Sequence, residues 1–95
     1  MKTRKTKAII KTLEKKGFEY YPEKDHHRFY YLTIDGKKTS IYTYFSHGKS
    51  EYNSNLMGML KKQLKFIDSK KAEMFFDCPL TKELYLEMLK EIGVL

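Results

Sequence analysis

The sequence predicts an α+β fold: a three-stranded antiparallel sheet carried between two helices, in the order α-β-β-β-α, with a helical extension after it. Two observations predict this. Aspartate and glycine at 35–36 separate two runs rich in aromatic and β-branched residues, and Asp-Gly tolerates the positive φ angles of a tight type I′ hairpin turn. On either side of the strand-like region, apolar residues recur with the 3.6-residue period of helices. With 95 residues, 41% hydrophobic and 33% charged, the chain has the length and composition of one globular domain with a modest core. We divide it into a core over 5–67 and an extension over 68–95.

The first helix is expected from about Lys5 to Lys16, because Ile9, Ile10 and Leu13 fall at helical spacing and Gly17 stands where a C-terminal cap belongs. Phe18-Glu19-Tyr20-Tyr21 reads as a short strand closed by Pro22, which has no N–H to give to a ladder. The second strand is expected from about His27 to Ile34, and the third from Lys37 to about Phe45. Residues 46–50 (Ser-His-Gly-Lys-Ser) form a loop, and Asn53 or Ser54 suits the N-cap of a helix over 54–66. Its apolar face is expected to be Leu56, Met59, Leu60 and Leu64. In the extension, a short helix over 70–75 ends at Cys78-Pro79. A last helix over 81–92 is expected to dock through Leu80, Leu84, Met88 and Ile92, which repeat every four residues.

No apolar run approaches the roughly 20 residues of a membrane-spanning helix, and the single cysteine, Cys78, cannot form an internal disulfide. A reducing cytoplasm is the expected compartment. The net charge is +7, and it is concentrated: residues 1–53 hold 12 Lys and Arg against 6 Asp and Glu, while residues 54–95 hold 7 against 6. A concentrated basic half is the electrostatic footprint of a protein that meets phosphate backbones. Residues 78–95 carry a net charge of −1, so the end of the chain is expected to brace the core rather than touch nucleic acid. A zinc site from Asp25, His26, His27, His47 and Cys78 fits no structural zinc spacing, and no cofactor is expected.

Four short segments, in order, resemble the HicA family of toxin ribonucleases. They are Lys16-Gly17-Phe18 after the first helix, Lys24-Asp25-His26-His27-Arg28-Phe29 opening the second strand, Ser46-His47-Gly48-Lys49 after the third, and the helical run from Leu56 to Leu64. The resemblance spans roughly residues 7–67. It departs from the family at Lys24-Asp25, where the family has Gly-Ser, and in a C-terminal extension of some 28 residues. It implies a fold like the double-stranded RNA-binding domain and an endoribonuclease (mRNA interferase) toxin of a type II toxin–antitoxin system. It also implies a HicB-type antitoxin as partner. The family's catalytic histidine, the first of the pair, falls on His26.

That chemistry needs little. RNA carries its own nucleophile in the 2′-hydroxyl, so a base, an acid and positive charge around the phosphate suffice, without a metal. Histidine titrates near working pH and suits both proton transfers, and Lys or Arg stabilise charge developing on phosphate. Because strand residues alternate, His26 is expected beside Arg28 and Tyr30 on an accessible face, with His27 half-buried near Phe29 on the other. Asp25 is placed to orient His26 or to raise its pKa. The RNA-contacting residues are then expected to be Lys24, His27, Arg28, Tyr30, His47, Lys49, Lys61 and Lys62. Among the even-numbered strand tyrosines, Tyr30, Tyr42 and Tyr44 are the ones open to base stacking. Two other functions compete: a non-catalytic RNA-binding module on the same fold, and a protein-interaction domain docking through a strand edge or the C-terminal helices.

Overall fold

A computed structural model describes residues 1–22, 27–77 and 79–95. The elements are β1 (Arg4–Lys5), α1 (Thr6–Lys15), β2 (Phe18–Pro22), β3 (His27–Ile34), β4 (Lys37–Ser46), β5 (Glu51–Tyr52), α2 (Ser54–Gln63), α3 (Ser69–Phe76) and α4 (Lys82–Glu91). The main sheet is antiparallel with order β2-β3-β4. The α+β class and the α-β-β-β-α order of the core are therefore as expected. Both Asp35 and Gly36 have positive φ, 52° and 79°, as the β3–β4 turn requires.

Gly17 ends α1 with φ +97°, and a Cβ there would lie 2.9 Å from Lys82 Cε. The position needs glycine for its backbone conformation, whereas the end of the Lys82 side chain is flexible enough to move aside. Asn53 caps α2 by accepting from Leu56 N at 3.0 Å. At the other end, α2 stops at Gln63, earlier than expected, because Lys65 turns left-handed at φ 70° and Phe66 N donates back to Lys61 O at 3.0 Å. This is a Schellman-type ending with a lysine where glycine is usual. Pro22 lies within β2, opposite Arg28, rather than beyond its end.

The pairing of β1 with β5, Arg4 to Tyr52 and Lys5 to Glu51, was not foreseen. Two-residue strands leave no periodicity to read. It is reinforced where Thr6 N donates to Ser50 O at 3.0 Å and Thr6 Oγ1 to Lys49 O at 2.8 Å. These bonds fasten the start of α1 to the loop that follows β4.

Helices cover one face of the sheet. Ile9 and Leu13 of α1 and Met57, Leu60 and Leu64 of the α2 region meet Phe18, Tyr30, Leu32, Ile41 and Phe45 in a single buried cluster. The inner face of α2 is thus turned from the expected one: Met57 is buried while Met59 is exposed. The strand faces are also reversed at β3. Arg28, Tyr30 and Leu32 point to the helix-covered side, and His27, Phe29 and Tyr31 to the uncovered side. β3 is apolar or aromatic on both faces, so alternation alone cannot say which is inside. What decides is Leu32, fully buried in the core cluster, with Tyr30 following it at the period of two.

The C-terminal helices pack at the Phe18 end of the sheet. Tyr85 and Leu89 are the buried residues of α4, whereas Leu84 and Ile92 of the expected stripe are exposed. The aromatic ring at 85 takes the central place, against Phe18, Phe66 and Phe75. Its hydroxyl donates to Leu64 O at 2.8 Å, and the buried Lys16 donates from Nζ to Leu80 O. On the neighbouring side, Arg4 joins β1 to α3 by donating to Glu73 at 3.1 Å and Asp77 at 2.9 Å. Among the described residues no helix is long and apolar enough to cross a membrane.

Candidate nucleic-acid interface

At the end of the sheet away from Phe18, three parts of the chain enclose a cavity of about 370 Å³. Its walls are the first turn of α1, Arg28 at the start of β3, and the loop after β4. Lys5, Lys7, Arg28 and Lys49 contribute four cations to the lining, with Thr6 and Gly48 between them. Arg28 is shared with an adjoining cavity that continues along α1 past Lys7 and Lys11 to Glu14 and Tyr30. Among the described residues, Glu14 is the one acidic residue in the two linings.

Local sequence explains this concentration of charge. The N-cap of α1 is Lys5, which makes no side-chain cap bond, and the first turn contains no acid. Thr6 N–H is taken by Ser50 O, but no side-chain cap or acid offsets the positive end of the helix dipole, and lysines at 5 and 7 add to it. Arg28 is held between strand and helix, where its Nε is buried and has no hydrogen-bond partner among the described residues. The guanidinium as a whole still lines the cavity, where it can offer charge-assisted hydrogen bonds to an anion. The ion pairs among the described residues join Lys2 and Arg4 to Glu73 and Asp77, and none engages a cation of this cavity.

The expected contact residues divide into groups. Arg28 and Lys49 come together in the cavity, and Tyr30 borders its extension. Tyr30 is nonetheless only 6% exposed, packed on Tyr20 and Phe45 at 5.5 and 5.6 Å, so stacking on its face is not open to a base. Burial chiefly, with Glu14 nearby, raises its hydroxyl above the ordinary tyrosine pKa. His47 is exposed, next to the lining residues Gly48 and Lys49 but not among them. His27 lies on the other face of the sheet. Lys61 and Lys62 border a separate cavity that shares no lining residue with the first, and Lys61 Nζ donates to Ser69 Oγ at 2.9 Å. Lys24 and His26, like Asp25, lie outside the described residues.

Lys5 and Lys7 were missed as site residues. The signal existed: Lys5-Thr6-Lys7 opens a helix with no acidic residue in its first turn. What could not be read was the β1–β5 pairing that brings this turn against Gly48 and Lys49.

On the uncovered face, Tyr21, His27, Phe29, Tyr31, Tyr42 and Tyr44 form a continuous set of ring contacts with centroid separations from 5.0 to 6.4 Å. Tyr42 is 41% exposed, and Tyr44 is half-buried. Compared with protein-family models, curated proteins and solved structures, the chain has no match.

Proposed function

We propose that this protein binds RNA through the cation-lined cavity at the start of α1 and cleaves it without a metal, using His26 as the general acid/base. The observation that carries the binding is the convergence of Lys5, Lys7, Arg28 and Lys49 on a helix N-terminus without a side-chain cap, with the buried Arg28 Nε lacking an acceptor among the described residues. Backbone N–H groups at a helix start, flanked by Arg and Lys, suit a phosphate. The cleavage rests on the resemblance to HicA toxins and on position in the chain, since His26 is two residues before Arg28.

In this mechanism a phosphate sits against Arg28 and Lys49. His26 accepts the proton of the adjacent 2′-hydroxyl, whose oxygen attacks the phosphorus. The P–O bond to the next nucleotide breaks, its 5′-oxygen takes a proton from solvent while His26 returns its own to solvent, and a 2′,3′-cyclic phosphate remains. The cations stabilise the charge that grows on the phosphoryl oxygens. In the same reading the protein is the toxin of a type II pair, cytoplasmic and held inactive by a HicB-type antitoxin.

The test is incubation with mixed-sequence RNA in EDTA, comparing the natural protein with His26→Ala and Arg28→Ala. Cleavage by the first, none by His26→Ala and RNA retention by that variant are expected. Arg28→Ala should weaken retention. RNA retention with no cleavage by either natural protein or His26→Ala would reduce the function to binding.

A further inference from the structure

We propose that the uncovered sheet face is a stacking platform for unpaired bases, which makes single-stranded rather than duplex RNA the substrate. This inference rests on the RNA-binding reading above and deepens it.

The face has an unusual composition. The strand residues that point to it are Glu19 and Tyr21 of β2, the odd-numbered residues from His27 to Thr33 of β3, and the even-numbered ones from Lys38 to Tyr44 of β4. None of them is aliphatic. A face awaiting a helix or a second sheet would carry Leu, Ile or Val, as the covered face does with Leu32 and Ile41. Here the apolar surface is nearly all ring: Phe29 with Tyr31 and Tyr31 with Tyr42 are stacked at 21° and 26°, and Phe29 is tilted by 33° to Tyr42 and to Tyr44. Bases stack on such rings whatever their identity, because every base has a π-face.

A cation lies among the rings. Lys38 Nζ stands 4.3 Å from the Tyr31 centroid and 4.9 Å from that of Tyr21. Lys38 and Glu19 balance one another among these face residues, so the rings set the character of the face and Lys38 is the group placed to meet a phosphate beside a stacked base.

The platform also connects to the cavity. His27 and Arg28 are consecutive, about 3.8 Å apart at Cα, yet they point to opposite faces of the sheet. His27 packs edge-on to Tyr44 at 5.1 Å on the platform, while Arg28 lines the cavity. One nucleic-acid strand turning round the end of the sheet would place a phosphate on Arg28 and its neighbouring bases on Tyr44, Phe29 and Tyr42. A duplex cannot do this, since its bases are stacked on one another and paired.

The experiment titrates a short mixed-sequence RNA, single-stranded and then annealed to its complement, into His26→Ala alone and with Tyr42→Ala or Tyr42→Phe added, so that cleavage is blocked in every chain. Tyr42 is exposed enough for its removal to leave the fold intact, which a thermal melt checks. Expected are loss of single-strand affinity by about five- to 150-fold in Tyr42→Ala, its retention in Tyr42→Phe, and no change in duplex affinity. With no tryptophan in the chain, quenching of tyrosine emission by the single strand reads the stacking directly. If RNA binds tightly and Tyr42→Ala binds it equally well, the platform is overturned and the cavity reading stands. If no chain binds RNA, both fall. If sedimentation shows the protein as a dimer that Tyr42→Ala dissociates, the face joins two copies and the platform is again overturned.

Discussion

The two faces of β3 are made from almost the same kinds of residue and do different work. On one side Tyr30 and Leu32 are buried, and with Phe18, Ile41, Phe45 and the apolar residues of α1 and α2 they form the core. On the other, Phe29 and Tyr31 are half-buried among neighbouring rings and Lys38. The difference teaches that aromatic content by itself does not mark a core. The covered face is identified by its aliphatic members and the helix that rests on them, while the open one holds rings and a cation.

The largest effect expected from this contrast is in stability. Phe45→Ala removes a fully buried ring and should cost about 3–5 kcal/mol by chemical denaturation. Tyr42→Ala, one strand face away, should cost about 1 kcal/mol or less. Equal losses would mean that the open face is part of the core and would break the comparison.

Next comes the brace formed by α4. Tyr85→Phe keeps the ring and removes only its bond to Leu64 O, so a loss of about 1 kcal/mol is expected in the same measurement. Burial pushes the Tyr85 phenol well above its ordinary pKa. Stability from the neutral form is then fully present below about pH 10 and falls as pH rises above it, and Tyr85→Phe should flatten that alkaline loss.

The smallest effect is at the acid end. Asp77 is held below the usual carboxylate range mainly by its hydrogen bond from Arg4. Its contribution is present above the unfolded carboxylate value and fades as pH falls through the lowered one, below about pH 4. Because Asp77 is largely exposed, Asp77→Asn should alter an acid melt only slightly.

Much of the fold was legible because its signals are local. Asp35-Gly36 dictates a turn through its own φ angles, Gly17 a helix end, and Asn53 a cap, so the order and approximate bounds of the elements followed. Orientation was less legible. Met57 against Met59, Tyr85 against Leu84, and the two faces of β3 each offered two apolar choices, and only packing against distant residues selects between them. For the candidate site, Arg28 and Lys49 were visible as cations in the right segments. Lys5 and Lys7 were not, since their place depends on a two-residue strand pairing across 46 residues of sequence between Lys5 and Glu51.

The most direct test of the phosphate cavity is the affinity for single-stranded RNA as a function of salt, measured for His26→Ala alone and with Arg28→Gln and Lys49→Gln added. If a phosphate occupies the cavity, log affinity falls linearly with log salt, and losing two contacts lowers the slope by about 1.4. An unchanged slope and affinity in the triple variant would contradict the account, because RNA would then be held elsewhere on the protein.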